Sequence, residues 1–207
     1  MYMPPLYIHG WGFSSKVFAS LPGIKPDLPA HGRNTNPYTC LDDVVRDIAL
    51  SLPSRHDVVG WSLGGSLALL LALRFPSKVG RVILLGTSPY FGGAWSRANL
   101  RAFRSMVRKR GIGAFREIVA GGFEDHVEEE EALRMLEDYI NLDLRARIPF
   151  LDKEVVVVHG ERDTVVPLRE AFLLHNLLRR SKLIILPGGH FPSENERAVV
   201  SSLLASG

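Results

Sequence analysis

Residues 57–68 read DVVGWSLGGSLA, and this stretch decides the fold. Residues 57–59 (DVV) give a short, mostly apolar run, as in a buried strand, whereas residues 63–75 show a long apolar pattern typical of a helix. Between them, Ser62 lies in the pentapeptide GWSLG, with a glycine at either end. Glycines allow a strand and a helix to approach closely, so we predict a strained turn that presents the Ser62 hydroxyl above the strand ends.

The rest of the chain alternates between strand and helix patterns. Other short apolar runs, closed by Gly, Pro or His, occupy residues 6–8, 82–85, 155–158 and 183–186. Helical patterns occupy residues 41–52, 168–179 and 195–204. Runs that are apolar on both faces suit buried parallel strands. The alternation therefore predicts an α/β fold, a mostly parallel sheet with helices on both faces.

The domain organisation is predicted to be simple. The 207 residues, 46% of them hydrophobic, suffice for one domain with a sizeable core. We assign residues 1–207 to that domain, with a core at about 1–87 and 148–207. Residues 88–147 lack a strand pattern and are interpreted as a helical lid insertion. Its acidic segment, residues 124–138, is interpreted as a solvated helix face.

Composition excludes several classes of protein. A single cysteine, Cys40, rules out an internal disulfide framework and fits a reducing compartment. The first residues do not show a signal peptide, and the longest apolar run is too short to span a membrane. We therefore expect a cytoplasmic protein without membrane association.

The turn at Ser62 matches G-x-S-x-G, the nucleophile elbow, when a strand precedes it and a helix follows. A serine nucleophile needs a base, and the base needs an orienting carboxylate. Asp163 follows the strand run at 155–158, and His190 follows the run at 183–186. The order Ser, Asp, His is the one expected for this elbow, and all three residues lie at carboxyl ends of parallel strands. We predict Ser62, Asp163 and His190 as a catalytic triad.

Alternatives for two of these positions remain open. Glu161 precedes Asp163 by two residues and is the alternative acid. His9, His31 and His159 each precede a glycine and are expected to shape loops. No chemistry is assigned to the remaining histidines, His56, His126 and His175.

An acyl-transfer site also needs two hydrogen-bond donors for the developing oxyanion. One should be the backbone N–H that follows the nucleophile, that of Leu63. The other should come from the loop after an early strand, where HGWG at residues 9–12 makes the N–H of Trp11 the natural candidate.

The segments IHGWG, DLPAHG, GWSLGG, HGERDTVVP and GGHFP together resemble the α/β-hydrolase superfamily. The tryptophans in HGWG and GWSLGG, with TSPYF at residues 87–91, resemble within it the pimeloyl-[acyl-carrier protein] methyl ester carboxylesterases of biotin synthesis. The resemblance implies an α/β-hydrolase fold, the same triad roles, a substrate carbonyl between Trp11 and Leu63, and methyl ester cleavage. It implies neither a cofactor nor a metal.

The chain departs from that family at its start. Only residues 1–5 precede the first strand run, so the antiparallel strands usual in the family are expected to be pruned. A strand at residues 25–29 is expected to be very short.

A basic stripe lies in the insertion. Residues 97–116 hold seven basic residues and no acidic one. Four arginines at helical spacing share one face: Arg97, Arg101, Arg104 and Arg108. Such a face binds phosphates or carboxylates, and the resemblance implies docking of an acidic acyl-carrier protein. The alternatives are an ordinary solvated face or, less favoured without a recognised module, nucleic-acid binding. We expect an acyl-carrier protein as partner and no nucleic acid.

Two other functions fit the same residues. A carboxylesterase for many small esters, with no carrier protein, would share every catalytic residue. A hydrolase-fold binding protein would not need the intact Ser, Asp and His set.

Overall fold

The computed structural model describes residues 3–206, and its centre is one sheet of five parallel strands. The strands follow one another across the sheet in chain order. They are β1 (Leu6–Ile8), β2 (His56–Trp61), β3 (Val79–Leu85), β4 (Val155–Gly160) and β5 (Ser181–Leu186). The predicted α/β-hydrolase fold with a parallel sheet is confirmed.

Helices connect the strands. They are α1 (Leu41–Ser51), α2 (Leu63–Arg74), α3 (Arg97–Ala120), α4 (Glu129–Asn141), α5 (Arg169–Leu177) and α6 (Glu194–Ala205). Short 3-10 helices lie at Ser15–Phe18, Pro76–Lys78, Phe91–Gly93 and Ile148–Phe150. None of the helices in residues 3–206 is long and apolar enough to cross a membrane.

The central strands are buried on both faces, as their apolar runs predict. Every residue of β4 is buried, and helix α2 is buried along ten of its twelve residues. The register aligns Val58 of β2 with Val82 of β3, and Val82 with Val155 of β4. Because these strands end together, the loops that follow them meet at one edge of the sheet.

Among the described residues, β1 lies at one edge of the sheet. Residues 25–29 contain no strand, so the prediction of a very short strand there is wrong; the neighbouring residue Ile24 instead forms a parallel bridge with Leu6. Within residues 3–206 each ladder between named strands is parallel.

Helices α3 and α4 lie between β3 and β4 in the chain. Helix α3 is kinked at Gly111, where φ is 75°. Leu100 and Val107 of α3 are buried. Helix α4 is amphipathic and buries a face that includes Leu136 and Tyr139.

Candidate active site

Ser62 occupies the tight turn between β2 and α2. Its φ of 55° and ψ of −120° are strained values for a residue with a side chain. The backbone N–H donates to Leu85 O over 2.9 Å, which fixes the turn against β3. The next turn depends on Gly64, where an added Cβ would lie 2.0 Å from Ile8 O. Absence of a side chain there lets α2 start directly beside β1.

The structure brings Asp163 and His190 to this serine. His190 Nε2 lies 3.0 Å from Ser62 Oγ, and His190 Nδ1 lies 2.7 Å from Asp163 Oδ2. All three side chains are buried. Glu161, the alternative acid, is exposed, and it is Asp163 that contacts the imidazole. The two hydrogen bonds form a continuous line from carboxylate through imidazole to hydroxyl, which can carry a proton from the serine to the histidine.

Asp163 is fixed by its own loop. Its Oδ1 accepts hydrogen bonds from the N–H groups of Val165 and Val166, each over 2.8 Å. Burial alone would raise the pKa of Asp163, but the charge and hydrogen bond of His190 and the N–H of Val166 outweigh it and hold that pKa below its usual range. Asp163 is therefore a carboxylate at working pH. It does not cap a helix, because α5 begins six residues later.

Trp61 holds the histidine loop in place. Its Nε1–H donates to the carbonyl oxygen of His190 over 2.8 Å, and the two ring centroids are 5.4 Å apart. The residue before the nucleophile thus restrains the backbone of the candidate base.

Three histidines that precede glycines, His9, His31 and His159, are buried near the candidate triad. His9 and His31 hydrogen-bond to loop backbone. His9 Nε2 accepts the N–H of Leu28, and His31 Nε2 accepts the N–H of Gly12. Burial lowers the pKa of His9 to about 4 and that of His31 to about 3, so both rings are neutral acceptors. His159 lies closer to the chemistry than its sequence context suggests, since its Nε2 is 3.6 Å from Asp163 Oδ2.

The two predicted oxyanion donors flank the serine. Trp11 lies in the loop after β1, and Leu63 is the first residue of α2. Within the described chain, no group accepts a hydrogen bond from either backbone N–H. Both donors therefore remain available to a ligand. The indole of Trp11 is anchored separately, with Nε1–H donating to Ala132 O over 2.6 Å.

One cavity lies at the serine, and a second cavity adjoins it. The smaller contains Ser62, His190 and Tyr139 among its lining residues. The larger, of about 260 Å³, shares four lining residues with it: Phe91, Phe103, Phe115 and Val165. The larger cavity is mainly apolar and is lined further by Trp95, Leu100, Met106 and Ile118. An acyl chain with its ester at Ser62 would meet apolar side chains there.

The arginine stripe does not form one uniform surface. Arg104 makes a bidentate ion pair with Glu137 of α4, with a shortest N–O distance of 2.6 Å. Arg108 lies 3.7 Å from the same carboxylate. Arg97 and Arg101 are exposed, and among the described residues neither has an ion-pair partner. Only those two arginines present their full charge to solvent.

Two residues at the site were not predicted. Tyr139 lines the smaller cavity, and Arg116 donates to Gly12 O beside Trp11. The sequence pattern places Arg116 only among the basic residues at 97–116, whereas the structure buries it. Tyr139 lies in the last turn of an acidic amphipathic helix. The pattern of that helix indicates a buried face but does not indicate which residues the face covers.

Comparison with known proteins defines the class. The α/β hydrolase family matches residues 6–202. An esterase from Exiguobacterium antarcticum superimposes with a TM-score of 0.86 at 20% identity, covering 99% of this chain and 91% of that one. The chain belongs to the α/β hydrolase family, and it is a serine ester hydrolase.

The most informative relatives share one name. The pimeloyl-[acyl-carrier protein] methyl ester esterase of Nitrosomonas europaea is 27% identical, covering 89% of this chain and 87% of that protein. The protein of the same name from Shewanella woodyi is 29% identical, covering 92% and 88%. The resemblance seen in the sequence motifs is confirmed by these relatives.

Proposed function

We propose that this protein hydrolyses the methyl ester of a pimeloyl chain carried by acyl-carrier protein, a step in biotin synthesis, with Ser62, His190 and Asp163 as its triad. The observation that carries the proposal is the hydrogen-bonded line from Asp163 through His190 to Ser62. The substrate is suggested by relatives of that name, similar along most of their length.

The chemistry follows from the geometry. His190 Nε2 takes the proton of Ser62 as its oxygen attacks the ester carbonyl. The carbonyl oxygen becomes an oxyanion and receives hydrogen bonds from the N–H groups of Trp11 and Leu63. Protonated His190 then gives its proton to the methoxy group, which leaves as methanol. A water molecule, deprotonated by His190, releases the acid and restores Ser62.

The electrostatics favour this sequence of steps. Leu63 begins α2, so the positive end of that helix dipole faces the oxyanion position. Asp163 remains charged and stabilises the imidazolium that forms during attack. Losing one oxyanion donor typically costs about 3–4 kcal/mol of transition-state stabilisation.

We further propose that residues 88–147 form a lid on a single domain of residues 1–207, and that a carrier protein docks on the arginines of α3. Exposure favours Arg97 and Arg101 as the main contacts, with Arg108 adding to them and Arg104 held by Glu137. The lone cysteine and an acyl-carrier partner are consistent with a cytoplasmic setting.

Two measurements test the function. Ser62→Ala should abolish turnover and leave the thermal unfolding temperature nearly unchanged; turnover near the wild-type rate would reject Ser62 as nucleophile.

The second measurement is the ratio of kcat/KM for pimeloyl-carrier-protein methyl ester to that for p-nitrophenyl acetate. A large ratio that falls with salt supports the carrier substrate. Equal values without salt dependence would instead identify an esterase of small esters.

A further inference from the structure

Tyr139 carries a buried hydroxyl with no partner. Its side chain projects from α4, the residue is 3% exposed, and the hydroxyl makes no hydrogen bond to any residue in the described chain. A buried hydroxyl without a hydrogen bond is costly, so such groups are uncommon in native proteins and call for an explanation.

The hydroxyl belongs to the reaction cavity. Tyr139 lines the small cavity together with Ser62 and His190, and its hydroxyl lies beside the hydroxyls of Ser62 and Ser66, which lower its pKa although neither makes a hydrogen bond of ordinary geometry with it. The ring stacks on that of Phe91, with 4.8 Å between the ring centroids and an angle of 10° between the planes. Because the ring is held by this stacking, the hydroxyl keeps one position in the cavity, where it can hydrogen-bond to a ligand atom.

The phenol is a hydrogen-bond donor at any working pH. Burial raises the pKa of Tyr139 well above its usual range and outweighs the opposite effect of the Ser62 and Ser66 hydroxyls. The group neither ionises nor acts as a base. It can therefore donate one hydrogen bond while it keeps its proton.

We propose that the Tyr139 hydroxyl donates a hydrogen bond to the alkoxy oxygen of the bound ester. The other polar atoms of the reacting group already have partners in the proposed mechanism. The carbonyl oxygen accepts hydrogen bonds from the N–H groups of Trp11 and Leu63, and the proton of Ser62 goes to His190. The alkoxy oxygen is left without a donor until His190 is protonated.

This contact aids departure of the alcohol. Negative charge grows on the alkoxy oxygen as its bond to the acyl carbon breaks, and a hydrogen bond from Tyr139 strengthens as it grows. His190 supplies the proton that makes the alcohol neutral, and Tyr139 keeps its own. The inference rests on the proposed Ser62 and His190 chemistry but is independent of any carrier protein.

The test is Tyr139→Phe, which removes only the oxygen and preserves the stacking on Phe91. We expect kcat/KM for methyl butyrate to fall about tenfold, the usual size of one hydrogen bond in a transition state. For p-nitrophenyl butyrate the fall should be at most about twofold, because nitrophenolate is a stable leaving group that needs little assistance. The unfolding temperature should stay the same or rise, since an unpartnered buried hydroxyl is removed.

Tyr38→Phe is the matched control. Tyr38 is equally buried, but its hydroxyl donates to Asp138 over 2.5 Å. We expect this variant to lose unfolding temperature and retain kcat/KM on both esters. The proposal is overturned if Tyr139→Phe leaves methyl butyrate hydrolysis unchanged, slows both esters equally, or destabilises the protein as Tyr38→Phe does. Residual activity of Ser62→Ala would point instead to failure of the proposed nucleophile.

Discussion

The guanidinium of Arg116 donates a hydrogen bond from Nε to the carbonyl oxygen of Gly12, tying helix α3 to the loop that carries Trp11. The N–H of the same glycine donates to His31 Nε2 over 3.1 Å, so the peptide groups beside Trp11 are held from two sides. A second guanidinium nitrogen donates to Asp125 O over 2.6 Å. The orientation of one proposed oxyanion donor therefore depends on the insertion.

Arg116→Met should loosen this loop and reduce catalysis. Hydrogen bonds from charged donors contribute about 1.5–3 kcal/mol, which corresponds to a fall in kcat of about ten- to a hundredfold. KM for a small ester should change little, because the contact aligns a donor that acts in the transition state. Steady-state kinetics with p-nitrophenyl acetate measure both constants.

Arg110→Met is the control for this prediction, since Arg110 is exposed on the same helix. It should leave both constants at wild-type values. Arg116→Lys should recover part of kcat, because an ammonium can still reach one carbonyl oxygen. A rise in KM alone for Arg116→Met would contradict a role in aligning the loop.

Gly86→Ala should disturb the triad through a single methyl group. Gly86 follows β3 at φ 50°, and an added Cβ would lie 3.1 Å from Asp163 Oδ2 and 3.2 Å from His190 Nδ1. A left-handed conformation costs a residue with a side chain about 1–3 kcal/mol, so the unfolding temperature should fall. Displacement of the imidazole should lower kcat by more than about tenfold.

Gly113→Ala serves as the comparison, because an added Cβ at this helical position meets no atom within 4 Å. It should raise stability by about 0.5–1 kcal/mol, the helix preference of alanine over glycine, and preserve kcat. Wild-type kcat in Gly86→Ala would show that the imidazole tolerates the methyl group.

The sheet and the line of triad residues could be predicted because both depend on local patterns. Apolar runs determine buried strands wherever they pair, and a serine, an acid and a histidine at three strand ends must meet at one edge. The roles of the triad residues stay a prediction. The pairing of Arg104 with Glu137 could not be predicted, since these residues are 33 positions apart and meet only when α3 packs near α4. Burial of Arg116 and isolation of the Tyr139 hydroxyl likewise follow from tertiary packing.

Asp163→Asn should make the free energy of unfolding depend less on pH in the acidic range. The pKa of Asp163 is lower in the folded protein than in the unfolded chain, so its charge stabilises the fold above the unfolded value of about 3.9. That stabilisation is lost as pH falls through the lower, folded pKa. The difference in unfolding free energy between wild type and Asp163→Asn should therefore shrink as the pH falls from about 5 through the lowered, folded-state pKa of Asp163.

Urea unfolding at several pH values measures that difference. Asp152→Asn is the control, because the side chain of Asp152 is 87% exposed and its charge should matter little at any of these pH values. A difference that stays constant with pH would mean that Asp163 titrates alike in the folded and unfolded chains.

The double variant Arg97→Gln, Arg101→Gln should weaken use of a carrier-bound ester. These exposed arginines have no ion-pair partner in the described part of the chain, so their charge is free to attract an acidic protein. KM for pimeloyl-carrier-protein methyl ester should rise several-fold at low salt, and the effect should fade as salt screens the attraction. Constants for p-nitrophenyl acetate should stay unchanged.

If the carrier protein docks on α3, the rise in KM depends on where the removed arginines lie and not only on the net charge that is lost. Arg179→Gln with Arg180→Gln removes the same charge immediately before β5, at the end of the sheet opposite Ser62, and should leave KM for the carrier substrate unchanged. Arg104→Gln should have a smaller effect on KM than the double variant but should lower stability, because it leaves Glu137 without its bidentate partner. An equal rise in KM from all these variants would indicate attraction by net charge, with no docking face on α3.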